Sequence, residues 1–223
     1  MGRLIYVSAL KETTDKTLFA AHLATFLKET HSSALLDGTP QTHILENFIA
    51  KRYHFGLKNN ISLPVPDYSE FKKEKIQNFI KKYDFIITDD PKLQSLKEAE
   101  KLFIIASFDE AINLTSSQSS FLSAVWEIKK KRASEGLSSF RSVLILNQKT
   151  NEENYKKLTE NSKFTGLEIA PYVLSSDDLK KSLQNGITVM DKNISLPHLE
   201  MTENDFFARR DLKKLLEYLW MQT

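Results

Sequence analysis

Short, wholly apolar runs of β-favouring residues alternate with stretches of helical periodicity from one end of the chain to the other. That alternation constrains the fold more than any other feature. Residues 4–7, 34–36, 85–88, 102–106 and 143–146 read as strands. Residues 16–30, 119–133, 151–162, 176–184 and 204–221 carry apolar side chains at helical spacing. A strand that is apolar on both sides is buried on both faces, which requires a parallel sheet covered by helices. The expected architecture is one α/β domain over residues 1–223, with a mostly parallel central sheet and helices on both faces. Residues 61–63 are expected to form a further short strand stopped by Pro64 and Pro66, and 54–68 to be the most irregular stretch. Residues 69–82 are expected to be helical with Ser69 as N-cap, and 167–173 extended.

Composition excludes several classes. The chain has no cysteine, so disulfides and cysteine-based zinc sites are absent, which fits a reducing compartment. The first apolar run is too short for a signal peptide, and no stretch approaches the roughly 18 apolar residues of a membrane span. Val7 stands where a myristoylation signal needs Ser or Thr. A cytoplasmic location is expected. A net charge of +2 does not by itself point to nucleic acid. His22, His31, His43, His54 and His198 show no metal-ligand spacing, and no Gly-x-Ser-x-Gly elbow is present.

In sheets of this kind ligands sit beyond the carboxyl ends of the strands, so the residues after each strand carry the functional signal. After the first strand comes Leu10-Lys11-Glu12-Thr13-Thr14-Asp15-Lys16-Thr17, followed by a helix. A strand, a loop and a helix opening with Lys-Thr form the frame of a phosphate-binding loop: the helix N-terminus and the lysine attract phosphate, and the hydroxyl ligates magnesium. The glycines that let such a loop close round phosphate are missing. A surface loop before a helix is the bland alternative at this point.

Other strand ends add to the pattern. Leu35-Leu36-Asp37-Gly38-Thr39-Pro40-Gln41 closes the second strand, Tyr83-Asp84-Phe85-Ile86-Ile87-Thr88-Asp89-Asp90-Pro91 a later one, and Asn147 follows residues 143–146. In this order and spacing the motifs resemble the ParA/MinD family of deviant-Walker-A ATPases. That family's loop reads Lys-Gly-Gly-x-Gly-Lys-Thr, and its later blocks read Leu-Leu-x-Asp-x-Asp-Pro-Gln and Tyr-Asp-x-Ile-Ile-x-Asp-x-Pro. The resemblance spans most of the chain and implies a P-loop NTPase-like fold. It implies nucleotide contacts from Lys11, Lys16, Thr17, Asp37, Asp89 and Asn147, with Thr17, Asp37 and Asp89 near magnesium and Asn147 at the adenine. ATP and Mg2+ are the implied ligands. A homodimer with Lys11 crossing to the partner copy, a ParB-like protein partner, and a role in partition or positioning are implied with them.

The chain departs from that pattern in two places. The three loop glycines fall on Glu12, Thr13 and Asp15, which bring side chains and two negative charges to where a triphosphate would lie. Asp15 is placed to pair with Lys16 instead of a phosphate. Thr39 stands at the second aspartate of the family's second block, and a threonine hydroxyl at ordinary pKa cannot accept a proton from water. The expectation is a degenerate member with weak or absent hydrolysis. A working ParA-type ATPase is the next reading, and a dethiobiotin-synthetase-like ligase the last.

Basic clusters have competing readings. Lys129-Lys130-Lys131-Arg132 suits either DNA or the C-terminal end of a helix. Arg209, Arg210, Lys213 and Lys214 on the last helix are candidate DNA contacts. That helix also has the amphipathic composition of a membrane-surface segment, although core packing explains its apolar face.

Overall fold

The strand pattern is realised as a seven-stranded, all-parallel sheet in the computed structural model, ordered β3-β2-β4-β1-β5-β6-β7. The structure describes residues 2–10, 14–115, 119–174, 176–191 and 202–221. The strands are β1 Arg3–Ala9, β2 Ser33–Asp37, β3 Asp67–Glu70, β4 Phe85–Thr88, β5 Lys101–Ala106, β6 Arg141–Leu146 and β7 Glu168–Ile169. The helices are α1 Thr14–Lys28, α2 Ile44–Asn59, α3 Ile76–Lys82, α4 Phe108–Leu114, α5 Ser120–Ser134, α6 Glu152–Ser162, α7 Ser176–Gln184 and α8 Glu203–Met221.

Period-two alternation in β1 divides the core into two layers. Ile5 and Val7 join the apolar faces of α1, α2, α7 and α8. Leu4 and Tyr6 join those of α3, α4, α5 and α6. Each central strand therefore has to be apolar throughout, which is the feature the sequence displays most plainly. Helix α8 buries Ala208, Leu212, Leu215, Leu216 and Leu219 against the first layer, so its apolar stripe is core. Lys101 and Arg141 both donate to the Leu219 carbonyl and cap the end of that helix. No helix among the described residues is long and apolar enough to cross a membrane.

Several expectations are corrected. Residues 61–63 are not a strand; the strand beside β2 is Asp67–Glu70, a short polar edge that carries no apolar run. Ser69 lies in that strand and caps nothing, and the helix expected over 69–82 is confined to Ile76–Lys82 after a 3₁₀ turn. Helix α2 crosses part of the stretch expected to be irregular. Its buried stripe is Leu45, Phe48, Arg52 and Gly56, and an arginine with a glycine in a helical seam conceals the periodicity. Helix α4 also escaped notice, although Ser107 and Glu110 form a complete capping box at its start.

The topology reverses at β1. The chain builds β2, β3 and β4 on one side of it, then crosses to β5 on the other. A sheet of this kind opens its crevice at such a point, beyond the carboxyl ends of the central strands.

Candidate functional site

Four of the residues singled out after strands converge in that crevice. Lys16 and Thr17 open α1, Asp37 ends β2, and Asp89 follows β4. All four are almost wholly buried, with Lys16 at 3% and Asp89 at 0% relative exposure. The Thr17 hydroxyl donates to Asp89 Oδ2 at 2.7 Å, and the Gly38 N–H donates to Asp89 Oδ1 at 2.8 Å. The Lys16 ammonium donates to the Asp89 backbone carbonyl at 2.9 Å and lies 3.8 Å from the Asp89 carboxylate. These side chains thus meet beyond the carboxyl ends of β2 and β4 of a parallel sheet.

Asp37 occupies the neighbouring position. Its Oδ1 accepts from the Thr39 N–H at 2.8 Å and its Oδ2 from the Tyr68 hydroxyl at 3.0 Å. Burial pushes the Asp37 carboxyl above its ordinary range; the Thr39 N–H bond opposes that, and the charge of Asp89 adds to it. Tyr68 answers the same crevice from β3: burial, then the nearby Asp37 charge, hold its phenol protonated well above the usual range. Sequence reasoning missed Tyr68 because the edge strand carrying it has no apolar signature.

Gly38 sits where two segments of the chain touch, the end of β2 and the residues after β4. A Cβ there would lie 2.2 Å from the Asp90 Cα and 2.6 Å from its nitrogen. Asp90 is not a second site acid. Its carboxylate accepts from the Lys92 and Gln94 N–H groups and from the Tyr6 hydroxyl, which in turn accepts from the Ser95 N–H. It folds the chain after β4 into a turn, a role the Asp-Asp-Pro sequence advertises.

The expected Asp15–Lys16 pairing is corrected. Lys16 turns to Asp89, while Asp15 Oδ2 accepts from the Asn147 side-chain amide at 2.6 Å. Asn147 is therefore brought to the site from the end of β6, tied to the loop–helix junction. Lys11, with Glu12 and Thr13, lies outside the described residues. Thr39 is 5% exposed and precedes a 3₁₀ turn over Pro40–Thr42.

The remaining candidates lie elsewhere. Lys129 lies over the Phe140 ring, Lys130 pairs with Glu127, and Arg132 is buried, donating to the carbonyls of Lys97, Ala99 and Ser138. That cluster serves the end of α5. On α8, Arg210 pairs with Asp211 and Lys213 with Glu217, while Lys214 is exposed and Arg209 partly so.

The residues suit a magnesium-bound polyphosphate in kind. Two carboxylates and a hydroxyl face one ammonium in a buried space, and magnesium commonly takes one or two carboxylates together with substrate phosphates. Among the described residues no cluster of three or more acidic, histidine or cysteine groups forms a free-standing metal cage. A phosphate can use Lys16 once its ammonium leaves the Asp89 carbonyl.

No family model and no curated protein matches the sequence. Solved structures do match its shape. McdA of Cyanothece in complex with ATP superposes with a TM-score of 0.62 at 15% identity, covering 98% of this chain and 96% of that one. MinD of Pyrococcus horikoshii with Mg-ADP gives 0.61 at 16% identity, covering 100% and 97%. A plasmid partition protein of Borrelia burgdorferi bound to AMPPNP gives 0.58 at 15% identity over the full length of both chains. At such identities the likeness is one of fold: the chain has the P-loop NTPase-like architecture of the McdA, MinD and ParA-type proteins.

Proposed function

We propose that this chain is a positioning or partition protein of the ParA/MinD kind, with a degenerate phosphate loop that binds nucleotide weakly and hydrolyses it slowly or not at all. The observation that carries the reading is the Lys16 ammonium, bonded at 2.9 Å to the Asp89 carbonyl in a crevice where it is 3% exposed. The full-length fold likeness supports the general role, since structures of that shape include a septum site-determining protein and a plasmid partition protein.

The residues define what each can contribute. Lys16 supplies the charge that would meet a phosphate, and Thr17 with Asp89 supplies a hydroxyl and a carboxylate already aligned at 2.7 Å. Magnesium, bound with ATP, would neutralise phosphate charge beside Thr17, Asp37 and Asp89. Thr39 offers a hydroxyl where a proton acceptor is wanted, so a water molecule is poorly activated there. The intact Thr17–Asp89 pair favours the second reading, a working ATPase with an unusual loop.

A homodimer with Lys11 reaching the partner copy, a ParB-like protein partner and non-specific DNA contact through Arg209, Arg210, Lys213 and Lys214 belong to the same proposal. Titration calorimetry with ATP and Mg2+ tests the nucleotide arm: binding weaker than about 100 μM is expected, against about 8 kcal/mol of binding energy for a micromolar site. Phosphate release no faster than that of Lys16→Ala is expected, and a rate clearly above it establishes the working ATPase. Retardation of generic duplex DNA at low salt that weakens steeply with added salt supports the DNA arm; no retardation removes it.

A further inference from the structure

We propose that the hollow between α1, α2 and α7 is a binding site for a medium-chain carboxylic acid, with the chain held by apolar side chains and the carboxylate met by Lys51 and Lys180. Leu18, Ile44, Phe48 and Leu183 line a cavity of about 210 Å³ there. Leu18, Phe48 and Leu183 belong to the first core layer, so packing fixes the walls. An apolar hollow of about 150 Å³ stays dry and holds a benzene ring. By that measure 210 Å³ admits a chain of roughly eight carbons, and removal of apolar carbon from water drives it in.

The helices on either side are pinned at one end. Lys51 Nζ donates from α2 to the Gln184 carbonyl of α7 at 3.1 Å. Just beyond α7, Gly186 takes a φ of 74°, and a Cβ there would lie 2.4 Å from the Lys51 carbonyl carbon. Lys51 and Lys180 complete the cavity lining, and both are exposed. A lysine stem lies along apolar surface while its charge stays in water, so the two ammonium groups edge the mouth of the hollow. Lys180 forms no hydrogen bond or ion pair among the described residues. Glu46 on α2 is engaged by His43 at 2.8 Å, and Asp177, one turn before Lys180, forms no ion pair with it. An apolar hollow with cations at its rim, one of them unengaged, complements a ligand with a hydrocarbon tail and an anionic head. Acetate would leave the hollow unfilled, and a neutral hydrocarbon would leave the lysines unmet.

The test is calorimetric titration of the full chain, without nucleotide, with sodium octanoate, sodium hexanoate and 1-octanol, in the unaltered protein, Lys180→Ala and Ile44→Trp. Circular dichroism establishes that each variant is folded, and Lys180 is exposed, so its replacement leaves the core alone. Octanoate is expected to bind with a Kd of about 1 mM or lower. Hexanoate, two methylenes shorter, is expected to bind about tenfold more weakly, since each methylene is worth roughly fourfold. Octanol, with no charge for the lysines, should bind about threefold more weakly or worse, and Lys180→Ala should weaken octanoate by a similar factor while leaving octanol unchanged. Ile44→Trp fills the hollow and should abolish binding of all three. No octanoate binding by the unaltered chain at about 10 mM overturns the proposal. Octanoate binding that either substitution leaves undiminished overturns it, as does octanol binding as tightly as octanoate. None of these outcomes bears on the nucleotide reading, which concerns the Lys16–Asp89 crevice.

Discussion

Replacing Asp191 with alanine removes the partner of a fully buried charge. Arg52 is 0% exposed, and its guanidinium meets the Asp191 carboxylate through two bonds, at 2.6 Å and 2.9 Å. Its Nε donates to the Pro64 carbonyl at 2.7 Å, and a long contact of 3.5 Å reaches the Gly186 carbonyl. Asp191 also accepts from the Thr188 N–H and hydroxyl at 2.6 Å and 2.7 Å. The knot joins α2 to the turn after α7. In Asp191→Ala the guanidinium keeps only carbonyl partners and a buried uncompensated charge, a loss of about 3–5 kcal/mol. For a chain of this size that corresponds to a fall in Tm of roughly 6–20 °C. Urea unfolding followed by circular dichroism measures it. The double substitution Arg52→Met with Asp191→Leu recovers most of the loss, because an apolar pair has no charge to desolvate. Burial opposes charge on Asp191, but the Arg52 guanidinium outweighs it and holds the carboxyl below its ordinary range. This contribution is therefore present above the unfolded carboxylate pKa of about 4 and is lost as pH falls through the lower folded value, so the gap between the two proteins narrows in acid. A loss under about 1 kcal/mol at neutral pH refutes the reasoning.

Two further outcomes follow from the same geometry. Burial lowers the His22 imidazole to about 4, and both ring nitrogens are engaged, Nδ1 with the Leu18 carbonyl and Nε2 with the Val189 N–H. Between pH 6.5 and 4 the unfolded chain takes a proton that the folded chain refuses, so stability falls with pH there; from pH 6.5 to 5 the urea-derived drop should be roughly 1.5 kcal/mol, and a His22→Gln chain with the same slope contradicts it. Gly38→Ala drives a Cβ into the backbone of Asp90, 2.2 Å from its Cα, and should cost at least about 2 kcal/mol in the same assay while disturbing the Gly38–Asp89 bond; an unchanged midpoint shows that β2 and the turn after β4 can part freely.

The central sheet was legible because strands buried on both faces must be apolar, and β1, β2, β4, β5 and β6 all are. The edge was not, since Asp67–Glu70 needs few apolar side chains to pair with β2 on one side. Helix α2 was hidden for a related reason: its core-facing position 52 holds an arginine whose charge is met by Asp191, 139 positions further on, and no local pattern reveals a partner so distant. In the site, Lys16, Thr17, Asp37 and Asp89 were legible because strand-end spacing fixes them. The bonds among them were not. Adjacency in sequence suggested Asp15 for Lys16, but successive helical residues point apart, and each found its partner on a different strand.

A crystal structure of the chain grown with a non-hydrolysable ATP analogue and Mg2+ addresses the arrangement most directly. Lys16 Nζ is expected to stay within about 3 Å of the Asp89 carbonyl, with Asp15 still on Asn147. Density for a triphosphate with Lys16 turned onto its oxygens contradicts the picture of a lysine held by Asp89.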